Sequence, residues 1–228
     1  FSLLATSRFS NVAYVTRDVN PNESLMTTIH REHIEWCDTW IRSAEATRYP
    51  RALLIGDSIC RGYYQAVEQR LDGVIDCARV ATSRFVLDPT YLRELALTMD
   101  QCRFSLIHFN NGLHGWDFSE ADYADGLNLL VDFLLRSAPQ ATLIWAASTP
   151  VYQANELTQH APNHVRVVER NRLARAVMAA HEIGINDLFS LALGKTAWFC
   201  EDGVHFNEEG NKFLSEQVAG QIRSGIKQ

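Results

Sequence analysis

The chain has 228 residues, of which 46% are hydrophobic and 21% are charged, and its formal net charge at pH 7 is −6. This balance predicts a globular protein with a substantial core. The acidic charge argues against a general nucleic-acid or membrane-surface binder, since both use basic patches. The five cysteines are dispersed without a CxxC pair, so we expect free thiols, no structural zinc and a cytoplasmic location.

The first elements of the chain are the hardest to assign. Between residues 30 and 46, Ile34, Trp40 and Ile41 have a spacing that predicts one apolar helical face, and Pro50 ends that segment. We therefore predict that residues 1–49 form an N-terminal extension packed on a main domain of residues 50–228.

After Pro50, short apolar runs alternate with amphipathic segments. The predicted strands cover residues 52–55, 74–80, 104–109, 141–147 and 185–188. The predicted helices cover residues 58–71, 89–99, 119–137 and 162–182, and a last helix is capped by Asn207. This alternation predicts βαβ units and a parallel sheet that is covered on both faces. Ligands bind such sheets at the carboxyl ends of the strands.

One polar side chain follows the first of these strands. The strand ends at Gly56, and Ser58 lies two residues later at the start of a helix. A serine there can expose its hydroxyl while its own N–H faces a developing oxyanion. The alternative is a structural helix cap, because Asp57 and Ser58 are both favoured at that position.

A second polar segment, Asp202-Gly203-Val204-His205, precedes the last helix. Serine needs a base within hydrogen-bond reach, and histidine is the usual one. A spacing of three residues in a turn allows the Asp202 carboxylate to hold the imidazole of His205. Taken alone, this segment also fits an ordinary surface loop.

Together these segments resemble the SGNH superfamily of GDSL-type esterases and lipases, over roughly residues 50–225. Gly56-Asp57-Ser58-Ile59 matches the first block of that family, and Asp202-x-x-His205 matches its last. The strand before Asn110-Asn111-Gly112-Leu113-His114 corresponds to the third block, in the form of a branch with an Asn-x-Gly-Leu-His signature. The resemblance implies a three-layer α/β/α fold with a five-stranded parallel sheet, similar to flavodoxin.

The resemblance also implies roles for individual residues. Ser58 is expected to be the nucleophile, His205 the base and Asp202 the orienting carboxylate. The second block of the family supplies a glycine N–H to the oxyanion hole, and here the N–H of Ser83 is the counterpart. In the third block the oxyanion donor is either His114 or, after a local shift, Asn111. Ser58 contributes its own N–H.

Two further residues are candidates for substrate binding. Arg84 is expected to hold an anionic or polyhydroxylated substrate, or else to be an ordinary surface arginine. Trp116 is a candidate platform for a sugar or acyl chain, with packing as the alternative. Histidine pairs such as His30 and His33 lack acidic or cysteine neighbours with ligand spacing, so we expect no metal and no cofactor.

The sequence therefore predicts a serine esterase that cleaves small acyl esters, acetyl esters above all, carried on a small molecule or a carbohydrate. An acyltransferase with the same three residues and a catalytically silent binding module remain alternatives. No nucleic-acid or membrane partner is expected, and self-association into a homo-oligomer is left open.

Overall fold

The computed structural model of this chain describes residues 30–226, in which strands and helices alternate. The strands are β1 (Cys37–Ile41), β2 (Arg51–Gly56), β3 (Asp76–Thr82), β4 (Leu106–Phe109), β5 (Thr142–Ala146), β6 (Tyr152–Gln153), β7 (Glu156–His160) and β8 (Gly184–Asn186). The α-helices are α1 (Ser58–Leu71), α2 (Pro89–Met99), α3 (Glu120–Ser137), α4 (His164–Ala180), α5 (Leu188–Ala192) and α6 (Glu208–Gly225).

Six strands form one sheet in the order β1-β3-β2-β4-β5-β8. The five strands β3, β2, β4, β5 and β8 are parallel, and β1 pairs with β3 in the antiparallel direction. β6 and β7 make a separate small hairpin. The inner strands read as nearly continuous apolar runs because both faces of the sheet are covered.

Each face of the sheet has its own apolar core. Leu53 and Ile55 of β2 point into a core shared with α2, α3 and α4. The alternate residues of that strand, Ala52 and Leu54, point into a second core shared with α1, α5 and α6. The period of two along a strand thus divides one buried run between two helical layers. The three-layer α/β/α fold predicted from the sequence is confirmed.

The sheet differs from the prediction at one edge. The five predicted parallel strands are present, but a sixth strand, β1, comes from the segment that the sequence analysis predicted as a helix. The prediction of a helix there is wrong, and the Trp40 side chain that was assigned to its apolar face is 55% exposed. The backbone of this segment finds its hydrogen-bond partners on β3 instead of within itself, and such tertiary pairing overrides a weak local pattern.

The remaining elements follow the sequence closely. α2 has the predicted bounds, and Ser119 forms a capping box with Asp122 at the start of α3. Asn207 caps α6 by accepting a hydrogen bond from the N–H of Gly210. The β6–β7 hairpin was not predicted. Residues 1–29 of the predicted extension lie outside the described residues, and the division at residue 49 stays a prediction.

Several loops lie together at the carboxyl edge of the sheet, which is the end at which the parallel strands finish. The parallel strands β2, β3 and β4 all end there, so the segments after Gly56, Thr82 and Phe109 lie side by side. Since β1 is antiparallel, with Cys37 opposite Thr82, the residues before β1 reach the same edge. No helix within residues 30–226 is long and apolar enough to cross a bilayer.

Candidate active site

The turn between β2 and α1 presents Ser58 at the carboxyl edge of the sheet. Gly56 is required for a close approach, since a Cβ there would lie 2.5 Å from the Cβ of Cys60. Asp57 is the N-cap, and its Oδ1 accepts a hydrogen bond from the N–H of Ile59 at 2.8 Å. Because Asp57 caps the helix, the hydroxyl of Ser58 is left available for another partner.

A tight turn before α6 carries Asp202 and His205. Oδ1 of Asp202 accepts hydrogen bonds from the N–H groups of Val204 and His205, both at 2.9 Å. Gly203 has a φ of 72°, and a Cβ on it would lie 2.3 Å from the carbonyl oxygen of Tyr152. Only glycine fits this position, where the β6–β7 hairpin packs against the turn.

The two segments meet through side chains that are far apart in sequence. The Oγ–H of Ser58 donates to Nε2 of His205 at 2.8 Å, across 147 positions of the chain. Nδ1–H of the same imidazole donates to Oδ2 of Asp202 at 2.7 Å. The structure thus brings together the hydroxyl, the imidazole and the carboxylate that the sequence singled out, in the order that a nucleophile, a base and its orienting group require.

The carboxylate of this triplet is held in its ionised form. Partial burial favours a higher pKa for Asp202, but the N–H groups of Val204 and His205 and the imidazole lower it below its ordinary value. The side chains of Asp202 and His205 are each about half exposed, at 50% and 48%. A ligand can therefore approach this pair directly from solvent.

Two of the proposed oxyanion donors are already engaged. The N–H of Ser83 donates to the carbonyl oxygen of Trp36 at 3.1 Å, because the residues next to β1 continue the pairing with β3. The side-chain amide of Asn111 is buried, and its Nδ2 donates to the carbonyl oxygen of Arg84 at 2.8 Å. In this structure the N–H of Ser83 and the side-chain amide of Asn111 thus both donate to backbone carbonyl oxygens, and their oxyanion role stays a prediction from the sequence.

His114 is placed differently from those two residues. It follows β4 at the carboxyl edge, and its side chain is 17% exposed. Nδ1–H of its imidazole donates to Oε1 of Glu32 at 2.7 Å. Burial favours a lower pKa for His114, but the hydrogen bond to Glu32 and the charges of Asp57, Glu32 and Glu35 raise it above its ordinary value.

Arg84 lies in a cluster of acidic side chains. Its guanidinium contacts three carboxylates, those of Glu94 at 3.3 Å, Asp88 at 3.5 Å and Glu35 at 3.6 Å. Its side chain is only 15% exposed. Arg84 therefore belongs to a charge network that joins the segment before β1 to α2, and its substrate-binding role stays a prediction from the sequence.

Trp116, in contrast, lines a cavity at the carboxyl edge of the sheet. The cavity has a volume of about 380 Å³ and lies between the loop after β4 and the segment before β1. Its walls are His30, Arg31, Glu32, Glu35, Ser83, Phe85, Leu113, His114, Gly115, Trp116 and Asp117. The guanidinium of Arg170 lies 4.4 Å from the centre of the Trp116 indole ring and fixes its orientation.

The sequence analysis missed the contribution of the segment before β1. Glu32 and Glu35 line the cavity and contact His114 and Ser83, respectively. Alternating β-branched and aromatic residues in Cys37–Ile41 were the available signal for a strand. Within residues 30–226, no group of three or more histidine, cysteine, aspartate or glutamate side chains has a geometry suited to a metal ion.

Comparisons with known proteins identify similar structures but no similar sequence. No protein-family model matches the chain, and no curated protein matches it. An aryl esterase from M. smegmatis has a TM-score of 0.63 and 18% identity, and the match covers 78% of this chain and all of that one.

Two further solved structures are similar to this chain. A GDSL-like lipase from Bacteroides thetaiotaomicron has a TM-score of 0.57 and 12% identity over 76% of this chain and 88% of its own. An acetyl xylan esterase has a TM-score of 0.59 and 14% identity over 75% of this chain and 99% of its own. The chain thus has the flavodoxin-like α/β fold of the GDSL-type esterases and lipases.

Proposed function

We propose that this chain is a serine carboxylic ester hydrolase in which Ser58 attacks the ester, His205 is the base and Asp202 orients it. The observation that carries the proposal is the continuous hydrogen-bonded line from Ser58 Oγ through the imidazole to the Asp202 carboxylate. A helix cap or a surface loop needs no such line. The similar solved structures include an aryl esterase and an acetyl xylan esterase, which supports the same reaction class.

In the proposed reaction, Ser58 Oγ bonds to the carbonyl carbon of the ester while Nε2 of His205 takes the hydroxyl proton. The carbonyl oxygen becomes an oxyanion. Breaking the bond to the alcohol oxygen gives an acyl-enzyme, and the alcohol leaves with the proton from His205. Water then repeats the sequence, with His205 as its base, and releases the acid and free Ser58.

Two hydrogen-bond donors are proposed for the oxyanion. The N–H of Ser58 lies in the first turn of α1, where a helix leaves its N–H groups unpaired. Since Ser83 and Asn111 are engaged elsewhere, the imidazole of His114 is the side-chain donor we favour. Each such donor contributes about 100-fold or more to catalysis in comparable enzymes.

For the substrate, we propose a small acyl ester, an acetyl ester above all, carried on a sugar or a related polyhydroxylated alcohol. The cavity between Trp116 and Glu32 has room for one sugar-sized group, and an indole with nearby carboxylates suits a ring with many hydroxyls. The acetyl xylan esterase among the similar structures acts on such a substrate by name.

The test compares wild type with Ser58→Ala on p-nitrophenyl acetate. We expect kcat to fall by about 10⁴-fold or more, because the nucleophile is removed. Ser137→Ala, at an exposed position on α3, is the matched control and should turn over normally. Equal rates for Ser58→Ala and wild type would refute the proposal.

Labelling and product analysis complete the test. A fluorophosphonate should modify wild type at Ser58, identified by peptide mapping, and leave Ser58→Ala unmodified at that peptide. With an added acceptor alcohol, hydrolysis should remain the main outcome. Dominant transfer of the acyl group to the alcohol would replace the hydrolase assignment with an acyltransferase.

A further inference from the structure

A second carboxylate–imidazole pair stands at the same edge of the sheet as the first. We infer that Glu32 is a positioning residue that keeps His114 doubly protonated, so that its Nε2–H donates to the carbonyl oxygen of the ester. This inference rests on the proposed ester hydrolysis, and it adds to that mechanism a residue from a segment outside the resemblance to known esterases.

The pairing of β1 with β3 brings Glu32 close to His114. β1 runs antiparallel to β3, with Cys37 opposite Thr82, so the chain before β1 continues past the carboxyl end of β3. Side-chain hydrogen bonds hold that segment at both ends. The guanidinium of Arg31 donates from Nε to Oδ2 of Asp88 at 2.8 Å, and the hydroxyl of Ser83 donates to Oε2 of Glu35 at 2.7 Å.

The loop after β4 is fixed as firmly from the other side. Nη1 of Arg170, a fully buried residue of α4, donates to the carbonyl oxygens of Gly112 and His114 at 3.0 and 2.7 Å. The backbone of His114 is therefore held by α4 while its imidazole is held by Glu32. The remaining ring nitrogen, Nε2, is the one available to a ligand.

The protonation state of His114 decides what Nε2 can do. A carboxylate can only accept, so Nδ1 carries the proton shared with Glu32. In a neutral imidazole, Nε2 would then have no proton and would repel an oxyanion. Donation from Nε2 requires the imidazolium, which partial burial disfavours and a neighbouring carboxylate favours.

The charges around the ring favour the imidazolium. Glu32 and Glu35 face it from the segment before β1, and Asp57 faces it from the N-terminus of α1. Arg31 and Asp117 also line the cavity that His114 faces, and the guanidinium of Arg170 lies on its backbone side. Against the effect of burial, the hydrogen bond to Glu32 and the charges of Asp57, Glu32 and Glu35 give His114 a pKa above its ordinary value, and the imidazole in turn lowers the pKa of Glu32.

The position of His114 suits an oxyanion donor. Leu113, its neighbour in the chain, lines both the cavity and the small pocket beside Asp57, which directly precedes Ser58. The charge of Asp57 also acts on the imidazole. A carbonyl oxygen held between the N–H of Ser58 and Nε2–H of His114 would receive one backbone donor and one cationic donor, and the cationic one is the stronger.

The experiment measures Glu32 and His114 alone and together. In Glu32→Gln the charge is lost, and we expect kcat to fall about tenfold with little change in KM, because the donor acts on the transition state. His114→Ala should lose about 100-fold. The double variant should be no worse than His114→Ala, since Glu32 is inferred to act only through that ring.

Two readouts separate this role from a structural one. In wild type, kcat should fall at alkaline pH as His114 loses its proton, and in Glu32→Gln that fall should move to lower pH. An NMR titration of the His114 ring should move in the same direction, and Glu32→Asp should restore most of the wild-type profile. Glu45→Gln, at an exposed position, is the matched control and should match wild type in every measurement.

The outcomes distinguish failure of this inference from failure of the proposed function. Unchanged titration of His114 in Glu32→Gln, or additive losses in the double variant, would overturn it even if Ser58 is the nucleophile. Fluorophosphonate labelling of Ser58 tests the nucleophile separately, because failure of the proposed function would abolish labelling without altering the titration of His114.

Discussion

The two carboxylate–imidazole pairs at the edge of the sheet are built in opposite ways. Asp202 and His205 are three residues apart on one tight turn, and both side chains are about half exposed. Glu32 lies in the segment before β1, and His114 lies 82 residues later in the loop after β4. The first pair is encoded by a local sequence, whereas the second exists only because β1 joins β3.

The two pairs depend on different parts of the fold. The local pair is contained in four residues, and hydrogen bonds within the turn hold Asp202 against His205. The pair of Glu32 and His114 depends on the register of β1 against β3. It also depends on the hydrogen bond from Arg31 to Asp88 and on the hydrogen bond from Arg170 to the loop backbone. We propose the first pair for proton transfer and the second for stabilising charge.

Removal of each imidazole in turn should lower the activity by very different amounts. His205→Ala should lower kcat by about 10⁴-fold or more, because Ser58 loses its base. His114→Ala should lower it by about 100-fold, because one oxyanion donor is lost while the base remains. Steady-state kinetics on p-nitrophenyl acetate measure both. Equal losses would contradict the division of roles, and a larger loss in His114→Ala would reverse it.

Most of the fold could be predicted from the sequence. The five parallel strands were recognisable because each is a short apolar run followed by a turn signal and a helix. Ser58 was recognisable because it follows a strand at the edge where the parallel strands end. The turn at Asp202 was recognisable from the three-residue spacing of Asp202 and His205 and from its resemblance to a family block.

Two contacts that the sequence did not predict come from the unrecognised edge strand. The N–H of Ser83 donates to the carbonyl oxygen of Trp36, and the Arg84 guanidinium contacts Glu35 in addition to Asp88 and Glu94. Trp36 and Glu35 both come from the segment next to β1. A five-residue strand has a weak local pattern, and its register is set only by the strand beside it.

The next largest effect tests how strictly the local turn is built. In Gly203→Ala, a residue with a φ of 72° gains a Cβ that lies 2.3 Å from the carbonyl oxygen of Tyr152. The turn must shift, and a displacement of about 1 Å of the base costs about 100-fold in kcat. Kinetics on p-nitrophenyl acetate and thermal unfolding measure the effect.

Gly194→Ala is the matched control for that variant. Its φ of 77° imposes similar backbone strain, but no atom lies within 4 Å of the added Cβ. We expect it to lose about 1 kcal/mol of stability and to keep its activity. Equal loss of activity in both variants would show that strain in general, and not the position of the turn, limits catalysis.

A smaller effect concerns the charge network beside the pair of Glu32 and His114. Arg84→Gln should lower the free energy of unfolding by about 2 kcal/mol, since three carboxylates lose a largely buried partner. KM should stay unchanged, because the guanidinium does not line the cavity. Urea denaturation and kinetics test this, with the exposed Arg93→Gln as control. A raised KM without loss of stability would instead support the substrate-binding role predicted from the sequence.

The smallest effect concerns the stability that the local pair provides. The pKa of Asp202 is lowered in the folded chain by the N–H groups of Val204 and His205 and by the imidazole, against the opposing effect of partial burial. The ionised carboxylate therefore stabilises the fold above its unfolded pKa of about 3.9, and this contribution is lost as the pH falls through the lower folded pKa.

In Asp202→Asn the charge is absent at every pH, so the difference in free energy of unfolding from wild type should be present at neutral pH and vanish in acid. Because the side chain is half exposed, we expect this difference to stay below about 1 kcal/mol. Urea denaturation of both proteins, from neutral pH down to about 2, measures it. A difference of several kcal/mol at neutral pH would mean that the turn is held chiefly by this charge. A small difference in free energy of unfolding together with a large loss of kcat would mean that the carboxylate acts mainly by orienting His205 and contributes little to the stability of the fold.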